Sequence, residues 1–83
     1  MSKIEIYSSD YCPFCERAKA LFQRKGLKYT EYDVGANPAL REEMVTRNPG
    51  ARTIPQIFID DQPIGGFDGL EALDKSGELQ DLT

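Results

Sequence analysis

Tyr11-Cys12-Pro13-Phe14-Cys15 holds both cysteines of the 83-residue chain, and its reading decides what the flanking segments build. With Cys12 as N-cap and Pro13 at the first helical position, where a missing N–H costs nothing, Cys15 falls one turn further on and on the same side. That spacing suits a reversible disulfide. A sulfur at a helix N-terminus also faces unpaired backbone N–H groups and the positive end of the macrodipole, both of which favour a thiolate. Lowering a thiol pKa from about 8.5 to about 5 requires roughly 5 kcal/mol, while a helix end supplies at most about 2. The remainder has to come from the N–H groups of Phe14 and Cys15, from the Cys15 thiol and from cations such as Arg17. Cys12 is therefore the candidate nucleophile and Cys15 its resolving partner.

Structural uses of the pair compete with this one. A disulfide closing so short a loop stabilises little, because the entropic gain grows with loop length. Inert core thiols are the other structural use. One C-x-x-C is half of a zinc site, and the chain has neither a histidine nor a second cysteine pair to complete it. Metal or cluster binding would require two chains, and no metal is expected. The lack of histidine also excludes a Cys-His protease, whose base must be an imidazole.

Composition narrows the classes further. Hydrophobic residues make up 40% and charged residues 29%, as in ordinary folded proteins, and the length suits one small domain over residues 1–83. Ten basic against fourteen acidic residues give a net charge of -4, which favours neither nucleic acid nor an anionic membrane surface as partner. No apolar run approaches the roughly 20 residues of a membrane span. Met1-Ser2-Lys3 leads directly into a strand-like Ile4-Glu5-Ile6-Tyr7, so no signal peptide is expected. The expected compartment is a reducing cytoplasm, where a C-x-x-C is more often catalytic or metal-binding than a permanent staple.

Working outward from the cysteines, residues 3–7 alternate with Ile4 and Ile6 on one face and end at the Ser8-Ser9-Asp10 turn cluster, which predicts a strand. The cysteines follow at its C-terminal end, where open α/β sheets place their chemistry. Phe14, Ala18, Leu21 and Phe22 then recur at helical spacing as one apolar stripe, and Gly26 stops the helix. Lys28–Val34 is rich in aromatic and β-branched residues, with Thr30, Tyr32 and Val34 on one face, so a right-handed βαβ unit is expected.

A second helix is predicted after Asn37 as N-cap and Pro38, with Leu40, Met44 and Val45 as its inward stripe and Asn48-Pro49-Gly50 as its end. Ile57-Phe58-Ile59, an Asp60-Asp61-Gln62 turn and Pro63-Ile64 read as a hairpin. Gly65-Gly66 opens a last helix over about Phe67–Lys75, with Leu70 and Leu73 facing in. The order β-α-β-α-β-β-α predicts a small α/β fold with a four-stranded mixed sheet and three helices.

In that order the chain resembles the glutaredoxins of the short dithiol type, over essentially its whole length. Three motifs carry the resemblance: Cys12-Pro13-Phe14-Cys15, Thr53-Ile54-Pro55 and Gly65-Gly66-Phe67-Asp68. The resemblance implies a thioredoxin fold whose cysteine pair reduces glutathione–protein mixed disulfides and protein disulfides, with glutathione as reducing co-substrate and glutathione reductase behind it. It implies a cis Pro55, with Ile54 offering its backbone to glutathione and Thr53 lining the same groove. Cis peptides are cheap only before proline. Read without the resemblance, Pro55 could instead begin an edge strand, the less favoured reading. The resemblance further implies that Gly66, Phe67 and Asp68 hold the γ-glutamyl carboxylate at a helix N-terminus.

The chain departs from the family at three places. Gly69 stands where a second acid is frequent, Ser9 where a lysine is frequent three residues before the first cysteine, and Phe14 where tyrosine is common, which keeps the aromatic wall of the glutathione groove and loses a hydroxyl. Arg41 and Arg52 are the candidate carboxylate contacts in place of the lysine. A glutaredoxin-like redoxin fed by thioredoxin reductase and an iron–sulfur carrier are the alternatives, the latter weakened by Pro13. A monomer is expected.

Overall fold

The computed structural model describes residues 3–79, so the first two and last four residues of the expected domain lie outside it. Strands β1 (Ile4–Ser8), β2 (Thr30–Asp33), β3 (Gln56–Ile59) and β4 (Gln62–Gly65) alternate with helices α1 (Pro13–Arg24), α2 (Pro38–Arg47) and α3 (Phe67–Ser76) in the predicted order. The sheet runs β2-β1-β3-β4. β1 is parallel to β2 and antiparallel to β3, and β3 is antiparallel to β4, so the sheet is mixed as expected.

All of β1 is buried because it is a central strand covered on both faces. Side chains alternate across a strand, and the register Ile4↔Ile59 and Ile6↔Ile57 puts four isoleucines on one face. There they pack with Ala18, Leu21 and Phe22 of α1 and Leu70 of α3, an all-hydrocarbon cluster joined by Leu27 and Leu79. On the opposite face Tyr7 and Phe58 pack with Val34 and Met44 of α2.

Glu5 shares that second face, and its side chain is only 4% exposed. A buried carboxylate requires a partner. Arg47, from the last turn of α2, reaches it with two N–H groups at 2.8 and 3.1 Å, and the Tyr32 hydroxyl donates to it at 2.8 Å. The guanidinium lies over the Phe58 ring at 4.1 Å and donates to the Tyr7 hydroxyl at 2.9 Å, which in turn donates to Glu43. Arg47 holds the Glu5 carboxyl below its usual pKa against the cost of burial, with Tyr32 and Lys3 assisting. Burial and the Glu43 carboxylate push the Tyr7 hydroxyl up to about 12. On the other side of the sheet Lys19 of α1 is pinned at 2.9 Å to Glu31 of β2, whose second partner is the Ser8 hydroxyl at 2.6 Å.

Several expectations change on inspection. Phe14 begins the α1 stripe by spacing yet is 50% exposed, because a side chain in the first turn projects past the end of the sheet instead of onto it. Val45 is 41% exposed: Met44 is the one buried residue of α2, with Leu40 half-buried, so a single turn faces the sheet. Thr30 is exposed on the edge strand β2, while Tyr32 and Val34 do face inward. No helix among the described residues is long and apolar enough to cross a membrane.

Candidate active site

Cys12 is the N-cap of α1, extended at φ -114° and ψ 101°, and Pro13 occupies the first turn where its ring fits and its absent N–H goes unmissed. The Cys15 N–H donates to the Cys12 sulfur at 3.2 Å, which gives the sulfur the role that an oxygen has in an ordinary cap. The two sulfurs are bonded to each other, with Cα atoms 5.2 Å apart. Cys12 is half-buried at the lip, and Cys15 is fully buried beneath it. Only one member of the pair can meet a large substrate.

Beside the sulfurs lies a groove of about 390 Å³ lined by Phe14, Thr53, Ile54, Pro55, Gly66, Phe67 and Asp68. Three segments far apart in sequence build it: the first turn of α1, the loop before β3 and the start of α3. The Ile54–Pro55 peptide is cis, and the Ile54 carbonyl oxygen lies 3.9 Å from the Cys12 sulfur. Phe14 and Phe67 face each other across 6.1 Å, and the Arg17 guanidinium covers the Phe14 ring at 5.2 Å.

Helix α3 starts differently from the other two. Its N-cap, Gly66, has no side chain to satisfy the first N–H groups, and Phe67 and Asp68 of that open turn line the groove. Two close approaches hold this turn in place. A Cβ on Gly66 would sit 3.3 Å from the Pro55 carbonyl oxygen, and a Cβ on Gly69 would overlap the Ile64 carbonyl oxygen. Gly69 is therefore where α3 is pressed onto β4, a requirement invisible in the sequence because its partner is backbone.

All seven residues that the sequence assigns to a glutathione groove thus share one cavity. Arg41 and Arg52 do not line it; both are exposed. Ser9 is half-buried and donates to the Asp10 carbonyl, so it adds no charge beside Cys12. Among the described residues no three metal-ligating side chains cluster. Tyr11, next to Cys12, has a left-handed backbone, φ 60°, that nothing in the sequence foretells for an aromatic residue.

A thioredoxin-like fold with a bonded cysteine pair capping its first helix defines a thiol oxidoreductase. The narrower class comes from comparison with known proteins. The Glutaredoxin family model matches residues 4–64. The chain is 52% identical over 81 residues to a probable glutaredoxin of Synechocystis sp., covering 98% of this chain and 92% of that one. It is 51% identical over 82 residues to glutaredoxin 3 of Escherichia coli strain K12, covering 99% and 98%. The solution structure of glutaredoxin from Brucella melitensis superposes with a TM-score of 0.81 at 48% identity, over 96% of this chain and 86% of that one. A buckwheat glutaredoxin–glutathione complex superposes at 0.87 and 27% identity, over 98% and 76%. The chain belongs to the glutaredoxin family.

Proposed function

We propose that this protein is a glutathione-dependent thiol–disulfide oxidoreductase that reduces glutathione–protein mixed disulfides and protein disulfides. The observation that carries the reading is the single groove, built from three separate motifs, that opens beside the Cys12 sulfur. The buckwheat relative solved with glutathione supports a tripeptide as its occupant.

In the reduced protein the Cys12 thiolate attacks the glutathione sulfur of a mixed disulfide. The protein–glutathione S–S bond breaks, the protein leaves as its thiolate and takes a proton from water, and Cys12 is left joined to glutathione. A second glutathione, as thiolate, attacks that bond, so that glutathione disulfide leaves and Cys12 returns to its starting state. On a protein disulfide Cys12 forms the mixed disulfide and the Cys15 thiolate displaces the substrate, leaving the Cys12–Cys15 bond for two glutathione molecules to reduce.

Each groove residue then has a part. Ile54 offers its backbone to the cysteinyl unit of glutathione, with Thr53 and cis Pro55 shaping that wall. Phe14 and Phe67 form the apolar sides. The N–H groups of Phe67 and Asp68, beyond Gly66, receive the γ-glutamyl carboxylate, where a helix N-terminus favours an anion. Arg41 and Arg52 stand outside the cavity lining, so neither is given the glycyl carboxylate. We take the working unit to be a monomeric single domain in a reducing cytoplasm.

The test is reduction of a small glutathione mixed disulfide with glutathione and glutathione reductase supplying electrons, run beside the same assay with thioredoxin reductase. Turnover with the first system is expected. Turnover confined to the second would refute glutathione dependence.

A further inference from the structure

Two of the large apolar side chains exposed among the described residues flank Cys12, and the groove accounts for only one of them. Phe14 lines the groove and faces Phe67. Tyr11 does neither. Its relative exposure is 102%, so its ring is left with essentially its whole surface in solvent. Its backbone sits at φ 60°, the left-handed region that a bulky residue occupies only at a cost and that clusters at binding sites. Neither folding nor the groove has a use for this ring, yet the backbone holds it outward beside the reactive sulfur.

Position limits what it can meet. Adjacent Cα atoms are about 3.8 Å apart, so Tyr11 stands next to the disulfide that Cys12 attacks, glutathione on one side of it and the protein on the other. A tripeptide seated in the groove is contained by other residues. A protein substrate continues beyond its cysteine in both directions and must cross the lip. An exposed tyrosine is well suited to such a contact, because its ring offers apolar area with few rotatable bonds and its hydroxyl can remain wet.

We propose that Tyr11 is a specificity-determining residue, packing against apolar side chains beside the cysteine that a glutathionylated protein substrate releases and taking no part with small glutathione disulfides. This rests on the reading that Cys12 attacks such disulfides.

The experiment compares wild type, Tyr11→Asn and Tyr11→Phe on a glutathionylated protein and on the mixed disulfide of glutathione with free cysteine. Asparagine accepts positive φ readily, so the backbone is kept while the ring is lost. For Tyr11→Asn, kcat/KM on the glutathionylated protein should fall about tenfold, chiefly through KM, the scale of a moderate interface anchor. On the small disulfide it should stay within about twofold on the same scale. Tyr11→Phe should match wild type on both. Equal losses on the two substrates, or no loss on the protein, overturn the proposal. So does a lower unfolding temperature for Tyr11→Asn, since a ring without contacts cannot be holding the fold. Wild-type protein inert on both substrates would instead overturn the reading of Cys12, and this proposal with it.

Discussion

At Cys12 and at Asn37 the chain enters a helix by nearly the same path. Both residues are extended, at φ -114°, ψ 101° and φ -139°, ψ 103°, and both precede a proline in the first helical turn. Each accepts one backbone N–H, Cys15 to sulfur at 3.2 Å and Ala39 to the Asn37 Oδ1 at 3.1 Å. Asn37 is exposed with nothing further to do, whereas Cys12 lies against the Ile54 carbonyl and a groove. The cap geometry is thus a generic way to start a helix. Chemistry follows from placing a sulfur in it and bringing two distant loops alongside, one of which ends in the helix start that has no side-chain cap.

The largest effect should come from exchanging atoms within that shared geometry. Cys12→Ser keeps a good capping residue and should reduce activity on every disulfide to background, while Cys15→Ser should spare deglutathionylation and lose protein-disulfide reduction. Equal loss in the two variants, measured in parallel assays, would contradict the division of labour.

Next in size is the uncapped start. Gly69→Ala must push α3 off the Ile64 carbonyl, so it should cost about 1–3 kcal/mol in denaturant unfolding and raise the KM for glutathione. Gly69→Asp, which restores the acid frequent in relatives, should suffer the same steric cost. A stable Gly69→Asp with tighter glutathione binding would show that α3 can retreat freely.

The two capped helices also differ in what anchors them to the sheet, and acid should reveal it. Glu5, which holds Arg47 of α2, and Glu31, held first by Ser8 and then by Lys19 of α1, both have depressed folded-state pKa values. Groups of this kind contribute stability that is present above the unfolded carboxylate value of about 4.3 and is lost as pH falls through the folded value. Glu5→Gln should lower stability by about 2 kcal/mol at neutral pH and flatten the acid limb of the profile. Glu31→Gln should flatten it less, because that carboxylate is 40% exposed. The smallest effect belongs to Asn37→Ala, which should cost about 1 kcal/mol, or about 5 °C in Tm, with activity unchanged.

Much of the fold could be read locally because its signals are local. Cys12-Pro13 and Asn37-Pro38 mark helix starts, Asp60-Asp61 lies in the hairpin turn, and Gly26 and Gly77, with φ 71° and 85°, close helices. What escaped depends on partners distant in sequence. Glu5 reads as a solvent-facing strand residue until Arg47, 42 positions on, is folded over it. Phe14 obeys helical spacing but has no sheet beneath it. Only family resemblance joins the groove's three segments in the sequence, since no spacing rule brings Thr53 to Phe67. Only their charge recommends Arg41 and Arg52 in the sequence, and the fold leaves both outside the cavity lining.

Cys15 has no surface of its own. An oxidant or alkylating reagent diffusing toward the pair therefore meets Cys12 first, and the inner thiol reacts with whatever has just become attached to its neighbour. If the outer sulfur is oxidised to a sulfenic acid, the attacker that follows is already in place, one helical turn away, and ring closure with loss of water returns the pair to a form that thiols can reopen. On the proposed mechanism the burial that orders the two steps of turnover would also favour this closure over irreversible oxidation.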